Sequence, residues 1–221
     1  MLGLAAMISV VIPTCDDEQA LFETLAALVP AATDGLVREV IVVDGGSRDG
    51  TARIADLTGC QWIDGPRERA PRLDRGAGAA RGPWLMFLRP GAVPQPGWVE
   101  ELRALLAASD GRRRDAFHFR IVRSPAGIVS RLPFGRGGAA ALDHGLVIRR
   151  ELYRALGGVR TLPALEIADL ARRIGRRRRH RLAAALVPPA AGRRGNRFRR
   201  AVGRGLLALR LPTRMVARLY A

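Results

Sequence analysis

The sequence contains no lysine, two cysteines and few aromatic residues. Aromatic residues make up 5% of the 221 residues, and all 37 basic residues are arginines. Codon composition alone can produce such an arginine bias, so it carries no functional weight by itself. Cys15 and Cys60 form no pattern typical of a disulfide framework or a metal site, and we interpret them as small apolar residues of a protein in a reducing compartment.

Long hydrophobic runs are also missing. No segment reaches the roughly 18 consecutive apolar residues that a membrane-spanning helix needs. The apolar opening, residues 1–13, has no basic residue before it and no small-residue cleavage pattern after it, so we predict a buried strand rather than a signal peptide. We therefore expect a cytoplasmic protein, attached to the inner membrane surface at most from the side. The hydrophobic fraction of 48% argues against wholesale disorder.

The formal charge of +17 is unevenly distributed along the chain. Residues 1–100 hold 9 arginines and 13 acidic residues, whereas residues 101–221 hold 28 arginines and 7 acidic residues. A basic second half favours anionic partners, which include phosphates, membrane surfaces and nucleic acid.

Strand and helix patterns alternate through the first half of the chain. Short apolar runs predict strands at 8–13, 39–44, 60–63 and 84–88, and helical spacing predicts helices at 18–28, 49–57, 70–81 and 97–107. Beyond residue 110 the rhythm weakens, with strands expected at 116–122 and 145–148 and a helix at 164–174. This alternation predicts a parallel sheet covered by helices on both faces, with a ligand at the carboxyl ends of the strands.

The segment 40–51 (VIVVDGGSRDGT) ends a predicted strand with an acid and two glycines. The glycines allow a tight turn close to a ligand, and the Asp44 carboxylate can accept hydrogen bonds from uracil or ribose. A strand–turn–helix junction, with Ser47 or Asp49 capping the helix, explains the same residues. Local chemistry leaves both interpretations open.

A dinucleotide-binding domain is the obvious alternative for an α/β protein with a nucleotide site. It requires a glycine loop directly after the first strand, and that position reads PTCDDE without any glycine. The later segment 76–81 (GAGAAR) lies inside a predicted helix, where we interpret it as a helix-packing surface. The sequence therefore argues against NAD binding.

Several segments together resemble family 2 glycosyltransferases. They are VVIPTCDDEQAL (10–21), VIVVDGGSRDGT (40–51), RAPRLDRGAGAARG (69–82), WLMFL (84–88), the segments 143–150 and 156–158, and the tail NRF…VARLYA. The chain looks most similar to the branch described as arsenosugar-biosynthesis or radical-SAM/selenodomain-associated glycosyltransferases. The resemblance runs along nearly the whole chain.

This resemblance implies a GT-A-type three-layer α/β/α sandwich with a mostly parallel central sheet. It implies a glycosyltransferase domain over 1–175, with a nucleotide-binding part at about 1–110 and an acceptor-side part at about 111–175. A basic helical extension would follow at 176–221. The implied reaction is inverting transfer from a nucleotide sugar, UDP-type above all, to an unknown acceptor, with Mg²⁺ or Mn²⁺ as cofactor.

The resemblance also implies a set of site residues. Those expected to bind the nucleotide are Pro13, Asp16, Asp17, Glu18, Asp44, Gly45, Gly46, Ser47, Arg69, Arg72 and Asp74. Asp143 matches an acid on the acceptor side.

Two chemical positions depart from the family pattern. The metal-binding carboxylate falls on Gly91 and the catalytic base falls on Ile167, and neither residue can do that chemistry. Glu166 and Asp169 are substitute candidates for the base, and Arg89 is a hypothetical partner for the leaving-group phosphate. A divergent transferase, an inactive nucleotide-sugar-binding pseudoenzyme and a non-enzymatic basic surface-binding protein therefore remain alternatives.

The arginine-rich segment 176–181 and the amphipathic stretches 198–209 and 213–220 predict a surface for anionic lipid headgroups. Nucleic acid is less favoured, because the only aromatic residues for base stacking there are Phe198 and Tyr220. A solvated basic surface without a partner is the third alternative.

Overall fold

The computed structural model describes residues 8–108, 114–122, 143–162 and 166–189. The strands are β1 (Ile8–Thr14), β2 (Val37–Asp44), β3 (Gln61–Asp64), β4 (Trp84–Leu88), β5 (Val93–Pro94), β6 (Ala116–Ile121), β7 (Gly145–Arg149) and β8 (Arg179–Val187). The helices are α1 (Glu18–Thr33), α2 (Thr51–Leu57), α3 (Arg69–Ala79), α4 (Trp98–Ala107), α5 (Arg150–Ala155) and α6 (Glu166–Ile174), and a 3₁₀ turn (Arg176–Arg178) leads into β8. Within these ranges no helix is long and apolar enough to cross a membrane.

The strands form one sheet in the order β3-β2-β1-β4-β7-β6-β8-β5. β1 pairs in parallel with β2 and β4, and β2 pairs in parallel with β3. β7 is antiparallel to both β4 and β6, and β6 is parallel to β8. β6 and β8 therefore run in the same direction as β1, and the predicted mostly parallel sheet is confirmed.

Helices cover both faces of this sheet. Along β1, Val10 and Ile12 belong to the core that contains residues of α1, α2 and α4, whereas Val11 belongs to the core that contains residues of α3, α5 and α6. All three side chains are fully buried. Each contributes about 1.5–3 kcal/mol of hydrophobic stabilisation. A strand buried on both faces reads as an uninterrupted apolar run, and the predicted three-layer arrangement is confirmed.

The prediction for the segment after residue 175 needs a correction. The sequence predicted a basic helical extension from residue 176, but Arg179–Val187 forms β8, which lies between β6 and β5 in the central sheet. The run of three alanines favours a helix locally. The strand conformation is nevertheless the more stable one, because it buries Leu182, Ala185 and Leu186 in or against the core. The predicted stretches 198–209 and 213–220 lie outside the described residues.

A glycine lets α3 approach the sheet closely. A Cβ atom built on Gly76 would lie 2.3 Å from Val11 Cγ1 and 3.1 Å from Val43 Cγ2. Gly78, on the same helix, has open space where its Cβ would be. The segment 76–81 therefore contributes a helix-packing surface, as the sequence predicted, and forms no phosphate loop after a strand.

We expect Gly76→Ala to lower the free energy of unfolding by about 1–3 kcal/mol, because the added methyl group displaces Val11. Gly78→Ala is the matched control in the same helix. It should raise the free energy of unfolding by up to about 1 kcal/mol, since alanine is the better helix former. Urea denaturation of the two variants measures both effects, and equal changes in the two would refute the close packing of α3.

Candidate functional site

Two loops meet at the carboxyl ends of β1 and β2. The first loop is residues 15–17 and the second loop is residues 45–50. Hydrogen bonds tie the first loop and the start of α1 to the second loop and the start of α2: Asp16 N to Ser47 Oγ (2.8 Å), Arg48 N to Asp16 Oδ1 (2.7 Å), Asp17 N to Thr51 Oγ1 (3.1 Å), Glu18 N to Asp49 Oδ2 (3.0 Å) and Gly50 N to Glu18 Oε2 (3.1 Å). Three acids that the resemblance assigns to the nucleotide site, Asp16, Asp17 and Glu18, therefore lie against the second loop, and Asp16 and Glu18 hold the loops to each other.

The Asp44 carboxylate organises the second loop. It is 3% exposed and accepts hydrogen bonds from the Thr14 hydroxyl, the Gly46 amide and both the amide and hydroxyl of Ser47. Burial alone would raise the pKa of Asp44, but these hydrogen bonds outweigh it and hold the pKa below its usual value. Asp44 thus shapes the loop, and direct contact with a nucleoside would require one of these bonds to break.

Thr14 is a residue of this site that was not predicted from the sequence. Thr14 and Asp44 are register partners at the ends of β1 and β2. Their pairing depends on which strands are neighbours. The available signal was their equivalent position, since each is the last residue of its strand.

Arg72 of α3 reaches behind the two loops. It is 7% exposed, and its hydrogen bonds within the described chain go to the backbone carbonyl oxygens of Thr14, Arg67 and Glu68. A Cβ on Gly45 would lie 3.0 Å from Arg72 Nη1, so glycine makes room for the guanidinium. Burial lowers the pKa of Arg72. Carbonyl oxygens accept its hydrogen bonds, and the Asp44 and Asp17 carboxylates of the loops act on its charge from nearby, so a cation lies beside the loops.

Asp17 is the half-buried carboxylate of the first loop. Its Oδ2 accepts a hydrogen bond from Cys15 N at 2.8 Å. Burial raises the pKa of Asp17, although this hydrogen bond and the charge of Arg72 act in the opposite direction. The neighbouring Pro13 lies at the end of β1, paired with Val43.

Four charged side chains from four parts of the chain meet next to these loops. We call Arg69, Arg89, Asp143 and Glu166 the charge cluster. Asp143 lies between the two arginines, with Oδ1 2.9 Å from Arg69 Nη1 and Oδ2 2.5 Å from Arg89 Nη2. Arg69 Nη1 also lies 3.0 Å from Glu166 Oε2. Because Arg69 and Arg72 are three residues apart on α3, they share a helix face, and the charge cluster adjoins the two loops.

The electrostatics of the charge cluster limit its chemistry. Burial would raise the pKa of Asp143, but Arg69 and Arg89 together hold it well below its usual range. Burial would likewise lower the pKa of Arg69, but Asp143 and Glu166 raise it. A carboxylate with so low a pKa is a poor proton acceptor, so Asp143 orients the two guanidinium groups rather than acting as a base.

The position of the missing metal ligand is closed to a side chain. Gly91 has a φ of +79°, and its amide donates to Ala20 O and Thr24 Oγ1, each at 2.8 Å. A Cβ atom there would lie 2.9 Å from Pro189 Cβ. Among the described residues, no group of three or more His, Cys, Asp or Glu side chains forms a metal site. With the Arg89 cation two residues before it, this position does not fit a divalent ion.

The position of the missing base is part of the core. Ile167 is 1% exposed and packs in the cluster beneath α3, α5 and α6. Its neighbour Glu166 is 3% exposed and enters the charge cluster through Arg69. Of the two substitute candidates for the base, the structure brings only Glu166 to this cluster.

Two predicted site residues, Asp169 and Asp74, form contacts that hold the helices in place. The Asp169 carboxylate lies 3.0 Å from Arg173 Nε and thereby anchors an arginine of its own helix. Asp74 accepts hydrogen bonds from the Tyr153 hydroxyl and from Val159 N, so it fastens α3 to α5 and the segment that follows. Both acids are therefore held by contacts within the helix layer, and their assignment to the site stays a prediction.

Part of the chain is similar to a known protein family. Residues 9–111 match the model of Glycosyl transferase family 2. This match covers a little under half of the chain, and it supports the resemblance seen in the sequence. No match supports the arsenosugar-biosynthesis branch, which stays a prediction. No curated protein matches the sequence.

Solved glycosyltransferase structures share the fold. Glucosyl-3-phosphoglycerate synthase from Mycobacterium tuberculosis, crystallised with Mg²⁺ and UDP, is 22% identical, with a TM-score of 0.67 over 94% of this chain and 80% of that chain. The same enzyme with Mn²⁺, UDP-glucose and phosphoglyceric acid has a TM-score of 0.66, 22% identity and coverage of 94% and 81%. A further mycobacterial protein is 23% identical, with a TM-score of 0.63 and coverage of 94% and 76%. The fold is that of GT-A glycosyltransferases.

Proposed function

We propose that this protein is a divergent family 2-like glycosyltransferase that uses a UDP-type nucleotide sugar and an acceptor of unknown identity. The observation that carries this proposal is the pair of hydrogen-bonded loops at the carboxyl ends of β1 and β2, with the buried Arg72 cation behind them. In open α/β sheets, ligands bind at this edge. The similar mycobacterial synthase has been crystallised with UDP and with UDP-glucose.

The donor is proposed to bind across the loops towards the charge cluster. The nucleoside lies against the outer surface of the loops, where Asp17 and the backbone of Gly45 and Gly46 offer polar groups. The diphosphate lies towards Arg72 and Arg89. The hydrogen bonds of the buried Arg72 go to carbonyl oxygens, so it acts on the phosphates through its charge. Arg89 can bind phosphate through paired hydrogen bonds.

Arginine is proposed to replace the metal ion during transfer. The acceptor hydroxyl oxygen attacks the anomeric carbon while the bond from that carbon to the β-phosphate oxygen breaks, and negative charge develops on the leaving nucleoside diphosphate. Arg89, which Asp143 holds in place, stabilises that charge. We propose Glu166 as the group that receives the acceptor proton, because it is the carboxylate next to the missing base position.

A catalytically inactive, nucleotide-sugar-binding pseudoenzyme is the second candidate. Its specific support is that Ile167 belongs to the core and that the Glu166 carboxylate is already bonded to Arg69. An acceptor hydroxyl has to compete with Arg69 for this carboxylate. Both candidates share the donor site and differ only in turnover.

Isothermal titration with UDP and UDP-glucose, in EDTA and in Mn²⁺, tests the proposed donor site. We expect binding with the same affinity in both buffers and about tenfold weaker binding in Arg89→Gln, which loses a charged phosphate contact. Arg53→Gln, on the exposed face of α2, is the matched control and should bind as the native protein does. Binding that requires Mn²⁺ would contradict the arginine mechanism, and no binding of either nucleotide would contradict the donor site.

Release of UDP from UDP-sugars separates the two candidates. In a transferase we expect slow hydrolysis of the donor, and Glu166→Gln should abolish it while UDP affinity is retained. Nucleotide binding without turnover, under every donor tested, would favour the pseudoenzyme. We also place the protein in the cytoplasm, because both cysteines are free thiols.

A further inference from the structure

An open cleft rich in arginine lies at the end of α6. It has a volume of about 700 Å³ and is lined by Ile174, Gly175 and the 3₁₀ turn Arg176–Arg178. Arg176 and Arg177 are exposed, and Ile174 is buried at the end of the helix. We call this the basic cleft. The hydrogen bonds described for these residues go to Arg172, Asp115 and Arg179 and do not involve the two loops or the charge cluster.

The basic cleft lies at the edge of the sheet opposite the donor loops. β6 and β8 run in the same direction as β1, and Ala116 at the start of β6 pairs with Arg179 at the start of β8. Their amino ends therefore face away from the carboxyl ends of β1 and β2. The length and direction of α6 support this placement, because the helix extends for about 12 Å from Glu166 in the charge cluster to Ile174 in the cleft.

Positive charge accumulates around the basic cleft. Asp115, just before β6, forms ion pairs with Arg178 (2.7 Å) and with Arg149 (3.5 Å). A single carboxylate therefore pairs with two arginines, so this group of three side chains keeps a net positive charge. Burial, and after it the charge of Arg176, lowers the pKa of Arg179. Arg176 and Arg179 repel each other across the turn, and a bound anion would relieve that repulsion.

The positive charges of β8 also act on the buried His118 side chain inside the sheet. Burial, and after it the charges of Arg179 and Arg181, together lower the pKa of His118 to about 4. His118 pairs with Arg181 in the β6–β8 register. The arginines of β8 therefore disfavour protonation of His118 on β6. They disfavour further positive charge at the surface as well.

We propose that the basic cleft is a second anion site, which binds phosphate groups through Arg176 and Arg177. Guanidinium groups bind phosphate oxygens bidentately, and three consecutive arginines around a cleft can contact more than one phosphate. The buried Ile174 gives the cleft an apolar wall for the part of the ligand that carries the phosphate. The phosphate can belong to a soluble phosphorylated compound or to a lipid headgroup.

Tripolyphosphate and lipid vesicles probe these two sources with the full-length chain. Calorimetry measures tripolyphosphate binding, with and without excess UDP to occupy the donor loops. Sedimentation measures binding to phosphatidylcholine vesicles with and without phosphatidic acid. The test variant is Arg176→Gln/Arg177→Gln. The control is Arg38→Gln/Arg53→Gln, which removes the same charge from exposed positions on β2 and α2.

We expect the test variant to lose about tenfold or more of the affinity for the phosphate probe, and the control to lose less than threefold. Selective loss of tripolyphosphate binding supports the site with a soluble ligand. Selective loss of sedimentation with phosphatidic acid supports it with a lipid ligand. Equal losses in the two variants, or no binding of either probe to the native protein, overturn the proposal. UDP affinity should be unchanged in the test variant.

Discussion

Replacing Asp143 by asparagine should lower the free energy of unfolding by about 3 kcal/mol. The substitution removes the carboxylate that lies between Arg69 and Arg89, so both guanidinium groups lose this buried negative partner. Breaking a buried ion pair costs about 3–5 kcal/mol. We expect the lower end of that range, because the Arg89 side chain is 26% exposed and water can solvate part of its charge. Urea denaturation at neutral pH measures the change.

An exposed ion pair provides the control. Asp34 pairs with Arg103, and the Asp34 side chain is 50% exposed. Asp34→Asn should therefore cost less than about 1 kcal/mol. A cost for Asp143→Asn as small as that of the control would show that the charge cluster is not a buried network.

The pH dependence of the Asp143→Asn effect follows from the sign of the pKa shift. The pKa of Asp143 is lower in the folded protein than in the unfolded chain, whose value is about 3.9. Its contribution to stability is therefore complete above pH 4 and is lost as the pH falls towards the folded pKa. The difference between native protein and variant should stay constant from pH 7 to about pH 5 and shrink only in stronger acid.

Gly91→Asp should fail to create a metal-dependent enzyme and should destabilise the fold by about 2–4 kcal/mol. A residue with a Cβ atom at a left-handed φ costs about 1–2 kcal/mol. Displacement of Pro189, whose Cβ lies 2.9 Å from the position of the new Cβ, adds about 1–3 kcal/mol. UDP titration with and without Mn²⁺ tests the first expectation, and thermal or urea denaturation tests the second.

A substitution at Gly59 measures the backbone cost of a left-handed φ separately from the cost of the contact with Pro189. Gly59 also has a left-handed φ, of +68°, but nothing lies within 4 Å of its Cβ position. Gly59→Ala should therefore show only the backbone cost, whereas Gly91→Ala should show the contact with Pro189 as well. A variant Gly91→Asp that is as stable as the native protein and binds UDP more tightly in Mn²⁺ would contradict our description of this loop.

The sequence predicted that the two loops lie at one edge of the sheet, because the pattern that indicates this is local. The acids and glycines of 40–51 follow directly after a buried strand, and a parallel sheet brings the ends of such strands to one edge. Asp74 was assigned by the family resemblance, and in the structure it accepts hydrogen bonds from the Tyr153 hydroxyl and from Val159 N. Arg69 and Arg72 are three residues apart and share a face of α3, whereas Asp74 is two residues beyond Arg72 and points elsewhere. Helical spacing alone argued against grouping Asp74 with the two arginines.

The sequence by itself determined the layers of the fold and the absence of side-chain chemistry at Gly91 and Ile167. Hydrophobic runs and helical spacing are short-range patterns, so they can be recognised without knowing the neighbours in space. The tertiary structure alone decided that β8 joins the sheet and that Arg69 meets Glu166, 97 residues away in the chain. It also decided that Arg176–Arg178 lies opposite the donor loops. These contacts depend on strand order and on competition for buried area, which local sequence patterns do not encode.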